Sequence, residues 1–186
     1  MASIAIEALA VERLKMGVAP ERRWWYACLA CPQCGSGGID ILEDAVSCSR
    51  CAARYPTQYG KVAFCEVMSP VDPRRQEMAP KHTWTNWRHL NYQWYAAELS
   101  SCSRDSRLID IGSGMGWFRD LSMGLESLAM DIYPFTYVDV LADIDRRLPL
   151  IDDCADVVML SNTLEHVYRP AGLLREIRRI LKPGGR

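Results

Sequence analysis

Two Cys-x-x-Cys pairs are the most distinctive chemical feature of this 186-residue sequence. Cys31 and Cys34 form the first pair, Cys48 and Cys51 the second, and residues 35–47 separate them. Each pair brings two thiolates together at a tight turn, and four thiolates complete the tetrahedral shell that Zn²⁺ favours. Because such a shell leaves no open coordination position, the pattern predicts a structural zinc site. Four unrelated buried cysteines, or a disulfide, are the alternative.

A glycine-rich turn with the spacing GxGxG begins at Gly112, after the apolar segment 107–111. Glycines let the backbone turn sharply and approach a ligand closely. A helix predicted directly after the turn would offer backbone amides and a positive dipole to an anionic group. The dinucleotide fingerprint GxGxxG requires glycine where Trp117 stands, so the pattern argues against an NAD site.

Strand-length apolar runs alternate with helical patterns through the second half of the chain, which predicts an α/β fold with a mostly parallel sheet. The predicted strands are residues 107–111, 127–130, 137–142 and 155–160, and the predicted helices are residues 82–99 and 170–182. The aromatic residues of the first helix, among them Trp84, Trp87 and Trp94, are expected to pack on the sheet. Stacking on nucleic-acid bases is the alternative.

Acidic residues end two of these strands. Asp131 follows the second strand, where a carboxylate can accept both hydroxyls of a ribose, and Asp143 follows the third. A strand-end turn for Asp131 and a helix cap for Asp143 are the structural alternatives.

From residue 107 to 186, the order of the motifs closely resembles the class I S-adenosylmethionine-dependent methyltransferases, in particular their type 11-like subgroup. The acidic strand and glycine turn are followed by LPL, ADVVML, LEH and LKPGG at compatible spacing. The resemblance implies a Rossmann-like sheet that binds S-adenosylmethionine. Gly112, Ser113, Gly114 and Gly116 would then wrap the methionine part of the cofactor, with Asp110 near its amino group.

The resemblance also implies contacts to the nucleoside. Asp131 would hold the ribose and Ile132 would pack on adenine, while Asp143 would accept from the exocyclic amine and Ile144 would donate a backbone amide. His166, just past the fourth strand, is a candidate general base, although a framework role for the LEH segment is favoured.

Residues 54–64, after the second cysteine pair, resemble the zinc ribbon of the small activator proteins of tRNA and release-factor methyltransferases. This resemblance implies an RNA or protein partner that contacts the ribbon. The predicted organisation is an N-terminal helix and basic-aromatic segment, a zinc ribbon, a linker and a methyltransferase domain, at residues 1–26, 27–66, 67–80 and 81–186.

The sequence ends at Arg186, where a fifth strand is expected to begin. A sheet truncated after its fourth strand would expose that edge to association with another chain, and the 186-residue form is expected to turn over little substrate.

The net charge of −1 gives no general attraction to nucleic acid or anionic membranes. No apolar run approaches the roughly 20 residues of a membrane span, and a cytoplasmic protein is predicted. The sequence therefore predicts methyl transfer to an unidentified small molecule or RNA. The alternative is a non-catalytic zinc-ribbon binding module with a remnant cofactor domain.

Overall fold

The computed structural model describes residues 23–67 and 81–186. The helix predicted near the N-terminus and nearly all of the predicted linker lie outside these ranges. Among the described residues, no helix is both long and apolar enough to cross a membrane.

A small antiparallel sheet carries the cysteine pairs. It consists of β1 (Ile39–Ile41), β2 (Ala45–Cys48) and β3 (Arg54–Pro56), in that order. Strands β1 and β2 form a hairpin between the two cysteine pairs, in which Ile39 lies opposite Cys48. A short 3₁₀ helix, Trp24–Cys28, precedes this sheet.

A five-stranded parallel sheet forms the rest of the fold. Its strands are β4 (Val62–Ala63), β5 (Arg107–Ile111), β6 (Glu126–Asp131), β7 (Val140–Leu141) and β8 (Val157–Met159). Their order is β4-β7-β6-β5-β8, and every neighbouring pair is parallel. The predicted Rossmann-like sheet is therefore confirmed, with the third and fourth predicted strands shorter than expected.

Two helices cover this sheet, α1 (Asn86–Ser100) and α2 (Pro170–Ile180). Alternation along β5 divides the core between the two faces of the sheet. Ile109 and Ile111 join the cluster that contains Leu173 of α2, whereas Leu108 joins a second cluster with Leu99 of α1. Both faces of β5 are thus buried, as expected for a central parallel strand.

The ribbon is built into the edge of the parallel sheet. Strand β4 lies within the predicted ribbon, yet it pairs with β7 in the main sheet, with Val62 opposite Val140. Lys61 Nζ donates to the carbonyl oxygen of Val138 at 2.6 Å, and Arg23 forms an ion pair with Asp139 at 2.6 Å. These contacts connect the ribbon, and Arg23 just before it, to the sheet.

The hydrophobic core is also continuous across this junction. Trp25, Leu29 and Val46 are fully or almost fully buried in the same cluster as Ile109 and Met130 of the parallel sheet. The backbone of Leu29 forms an antiparallel bridge with that of Leu150. The ribbon and the sheet therefore share one core.

The prediction that the aromatic residues of the first helix pack on the sheet is wrong for Trp87 and Trp94 and correct for Trp84 and Tyr95, which join the cluster that contains Leu108 of β5. Trp87 and Trp94 are 66% and 59% exposed, while the buried Trp84 lies before the helix begins. The face of the helix that packs on the sheet lies one residue after the exposed tryptophans in the helical repeat and includes Tyr95 and Leu99. Packing of this face leaves Trp87 and Trp94 in solvent.

The helix expected directly after the glycine turn is also absent among the described residues, where only a 3₁₀ helix, Arg119–Ser122, follows. Trp117 packs edge-on against Trp84, with ring centroids 5.9 Å apart, and Phe118 is buried in the same cluster. Because both of these consecutive aromatic residues pack in this cluster, the backbone after the turn does not begin a regular α-helix.

The outer edge of β8 is less exposed than the sequence alone suggested. Arg186 donates its backbone amide to Asp156 at 3.1 Å and accepts from the amide of Val158 at 2.9 Å. Leu181 forms a parallel bridge with Ala155. Gly184, with φ of +81°, helps return the backbone to this edge after α2.

Candidate functional site

The four predicted zinc ligands converge. The Sγ atoms of Cys31, Cys34, Cys48 and Cys51 all lie within 4.8 Å of one another. The separation is 3.7 Å between Cys31 and Cys51 and 3.6 Å between Cys34 and Cys48. A tetrahedral shell with Zn–S bonds of about 2.3 Å requires sulfurs roughly 3.8 Å apart. The cluster therefore fits a zinc ion without rearrangement of the fold.

Two equivalent turns position these thiols. Gly35 donates its amide to the carbonyl of Cys31 at 2.7 Å, and Ala52 donates to that of Cys48 at 2.9 Å. Both donors have left-handed backbone, with φ of +75° and +58°. Each Cys-x-x-Cys segment thus folds back in the same way, and each places its two sulfurs on one side of the turn.

The environment of Cys31 favours the thiolate that a metal requires. Its Sγ lies 3.5 Å from the hydroxyl of Tyr55. Although burial raises the pKa of Cys31, hydrogen bonds from Tyr55 and from backbone amides outweigh that effect and lower it to about 6.

The glycine turn lies at the carboxyl ends of β5 and β6, as predicted. Gly112 and Ser113 both donate backbone amides to the carbonyl of Met130, at 2.8 and 3.1 Å. Gly114 donates its amide to Oδ2 of Asp131 at 2.8 Å. The turn is therefore fixed to the end of β6, and Asp131 is one of the groups that hold it.

The three glycines of the turn have left-handed backbone, but their surroundings differ. A Cβ atom at Gly112 would collide with the side chain of Thr163, and one at Gly116 would lie 3.1 Å from Cδ2 of Tyr137. A Cβ at Gly114 would meet no atom of the described residues within 4 Å. Gly114 therefore faces open space, where a ligand can approach the backbone.

Asp131 is a buried carboxylate, only 7% exposed. Besides Gly114, it accepts the amide of Tyr133 at 2.9 Å. Burial raises the pKa of Asp131, while these hydrogen bonds oppose the shift. Each carboxylate oxygen accepts one of these two bonds and has a further lone pair for a ligand donor.

Ser113 adds a second polar group to this site. Its Oγ is buried without a hydrogen-bond partner among the residues that the structure describes. Buried polar atoms rarely stay unsatisfied, so this hydroxyl suits a polar ligand beside the turn.

Asp110, on the strand that leads into the turn, is a strongly perturbed acid. Burial, and then the nearby charge of Asp131, raise its pKa to about 7. A cationic group bound between these two carboxyls would relieve their repulsion. The pair therefore suits a ligand that carries an ammonium group.

The predicted adenine contacts are less clearly arranged. Asp143 accepts the amide of Asp145 at 3.0 Å and pairs with Arg146 Nε at 3.0 Å, so it also acts as a turn residue. Ile144 is partly buried against the main core, and Ile132 is partly exposed at the end of β6. Their roles toward a cofactor stay predictions.

His166 is exposed and belongs to the 3₁₀ helix Leu164–His166. Its backbone amide donates to the carbonyl of Thr163 at 2.9 Å. Sequence reasoning missed Thr163, a buried residue whose Oγ1 donates to the carbonyl of Ile111 at 3.3 Å. Its position directly after the fourth strand, at the edge where the glycine turn was expected, was the available signal.

Comparison with known proteins agrees with this geometry. Residues 109–186 match the family model described as a methyltransferase domain. This segment is therefore similar to a methyltransferase domain. It includes the carboxyl end of β5, the glycine turn and Asp131, and its family supports the class I resemblance stated above.

This chain matches only part of the length of the proteins that are similar to it. An uncharacterized methyltransferase of Mycobacterium ulcerans is 31% identical over 108 residues, which are 50% of this chain and 41% of that protein. The biotin biosynthesis bifunctional protein BioHC of Cellvibrio japonicus is 31% identical over 94 residues, 44% of this chain and 18% of that protein. The chain thus spans less than half the length of either relative.

A solved complex between the Haloferax volcanii Trm112 methyltransferase activator and a methyltransferase is similar as well. It shares 27% identity with a TM-score of 0.42, over 53% of this chain and 54% of that one.

Proposed function

We propose that this protein transfers a methyl group from S-adenosylmethionine to an acceptor and that its ribbon holds a structural zinc ion. One observation carries the proposal: the glycine turn of a methyltransferase domain leaves open space beside Gly114, next to the buried Asp131. Such an acidic strand end beside a glycine turn suits a ligand with a ribose.

The residues around the turn would each hold one part of the cofactor. Asp131 would accept the ribose hydroxyls through its remaining lone pairs, and Ser113 and the backbone of Gly114 and Gly116 would contact the methionine part. Asp110 would attract the ammonium group. Ile132, Asp143 and Ile144 would hold the adenine.

S-adenosylmethionine supplies the reactive methyl carbon on its sulfonium. The protein then contributes mainly by alignment of donor and acceptor and by exclusion of water. His166 lies at the correct edge of the sheet for a general base, but its exposure fits the framework role better. We therefore assign no obligatory base.

The zinc ion would support the fold and take no part in the reaction, because four cysteines leave no coordination position for a substrate. Cysteines that bind a metal and form no disulfide among the described residues suit a reducing compartment, which supports a cytoplasmic location.

Radiolabelled methyl transfer tests the proposal. Purified protein is incubated with S-adenosylmethionine labelled in its methyl group and with cell extract, and the label is measured separately in RNA, protein and small molecules. Incorporation above that of the Asp131→Ala variant supports methyl transfer. Because low turnover is expected of the 186-residue form, the incubation is long and the protein concentration high, and equal incorporation by the two proteins under these conditions contradicts methyl transfer by this chain.

A further inference from the structure

A cleft of about 260 Å³ on the surface is lined mainly by arginines. Four guanidinium groups and two carboxylates surround it, together with one glycine of α2: Arg146, Arg147, Arg169, Arg175, Asp145, Glu176 and Gly172. All four arginines are exposed. This concentration of positive charge contrasts with the net charge of −1 for the whole chain.

The two acids in the cleft are already engaged. Asp145 Oδ1 accepts the backbone amide of Arg169 at 2.9 Å. Glu176 accepts the amide of Leu148 at 3.0 Å and pairs with Arg179 at 2.6 Å. Although burial raises the pKa of Glu176, the hydrogen bonds and charge of Arg179 hold it below its usual value. With four arginines and two acids, the lining residues carry a formal net charge of +2.

The position of the cleft links it to both predicted sites. The guanidinium of Arg146 pairs with Asp143, a predicted cofactor contact. Arg147 packs over Gly35 in the first cysteine turn, where an added Cβ would lie 2.8 Å from Nη2. Arg169 follows His166 by three residues. Two of the lining arginines therefore contact residues of the predicted sites, Gly35 in the first cysteine turn and Asp143.

The first turn of α2 adds to the positive electrostatic potential of the cleft. The helix begins at Pro170, and Gly172 in its first turn lines the cleft. The helix dipole makes this end of an 11-residue helix positive.

We infer that this cleft binds the phosphodiester backbone of an RNA that carries the methyl acceptor. RNA binding follows from the cleft itself, whereas the statement that this RNA is the methyl acceptor rests on the proposed function. Sites for small metabolites are usually enclosed and mostly apolar. Here the arginines are separate and exposed, which is how proteins contact successive phosphates of a strand. An open, arginine-lined cleft fits such a strand better than a single small anion.

Fluorescence anisotropy with a labelled single-stranded RNA of about 20 nucleotides tests the inference. The double variant Arg147→Glu/Arg175→Glu should weaken RNA binding at least about tenfold and should reduce the dependence of affinity on salt. Arg175→Glu alone should weaken binding more than Arg104→Glu, an exposed substitution outside the cleft with the same change of charge. The unfolding temperature of each variant is measured to exclude loss of the fold.

Three results would overturn the inference: no RNA binding by the wild type, equal weakening by Arg175→Glu and Arg104→Glu, or competition by a mononucleotide as strong as that by the RNA at equal phosphate concentration. The last result would assign the cleft to a small phosphorylated ligand. Affinity for S-adenosylmethionine is measured in the same samples. If the wild type does not bind S-adenosylmethionine, the proposed function is contradicted, whatever the RNA result.

Discussion

Val62 of the ribbon lies opposite Val140 in the parallel sheet, and the neighbouring pair joins Ala63 to Leu141. The strand that receives this pairing, β7, ends two residues before Asp143, a predicted cofactor contact. Because the ribbon supplies the edge strand of the sheet, its metal should influence the cofactor site through the fold.

Loss of zinc should therefore weaken both the fold and cofactor binding. Zinc in small structural sites contributes on the order of 10 kcal/mol of folding free energy, and Cys48→Ser removes one of four ligands. We expect about one zinc ion per wild-type chain and, in the variant, less zinc, a lower unfolding temperature and weaker binding of S-adenosylmethionine.

Elemental analysis, thermal denaturation and calorimetry measure the three effects. Cys102→Ser, which changes a cysteine outside the cluster, is the matched control and should retain the metal. Less than about a tenth of an ion per wild-type chain would refute the zinc site, because structural sites bind tightly.

Gly114→Ala should impair cofactor binding with only a modest effect on the fold. Its left-handed φ of +52° costs an alanine roughly 1 kcal/mol, and the new methyl group would enter the open space beside the turn. Gly124→Ala is the matched control, because Gly124 also has a positive φ and free space but lies outside the turn. Only Gly114→Ala should bind S-adenosylmethionine more weakly, and the unfolding temperature of each variant is measured because an alanine at φ of +96° costs more than one at +52°. Equal affinity of the two variants for S-adenosylmethionine would contradict the placement of the cofactor beside Gly114.

The sequence predicted best those elements whose patterns are local. The strand before Gly112 and the helix from Pro170 have continuous or periodic apolar positions and clear end signals, and both are present. The cysteine cluster was predictable because short spacing within each pair limits the arrangements available.

Long-range packing accounts for what the sequence did not predict. The pairing of Val62 with Val140 depends on strands far apart in the chain, and the two-residue β4 has little pattern of its own. Trp87 and Trp94 match a helical repeat as well as their neighbours do, but only contacts of α1 with the sheet decide which face is buried. Thr163 was missed because its role depends on its contact with Gly112.

Thr163 and Gly112 should behave as a coupled pair. Gly112→Ala should destabilise the protein strongly, because the new Cβ collides with the Thr163 side chain and φ is +71°. Thr163→Ala should relieve part of that cost, so the double variant should be more stable than the sum of the single effects predicts. Denaturant unfolding of all four proteins measures the coupling, and strictly additive changes would contradict the contact.

Asp110→Asn should stabilise the protein more at pH 8 than at pH 5. The folded-state pKa of about 7 lies above the value of about 3.9 expected in the unfolded chain. Between these values the folded protein binds more protons, so its stability falls as the pH rises and the carboxyl ionises. Asparagine removes that charge at every pH. Unfolding temperatures of both proteins at the two pH values test this, and an equal difference at both would show that Asp110 ionises normally.

The most direct test of the account is calorimetric titration of S-adenosylmethionine into the wild type and Asp131→Ala. Loss of a buried carboxylate that accepts ribose hydroxyls should weaken binding by about 1–3 kcal/mol. Asp105→Ala, an exposed substitution, should bind as the wild type does. Equal affinity of all three proteins, or tighter binding of NAD than of S-adenosylmethionine by the wild type, would contradict the assignment of the glycine turn and Asp131 to this cofactor.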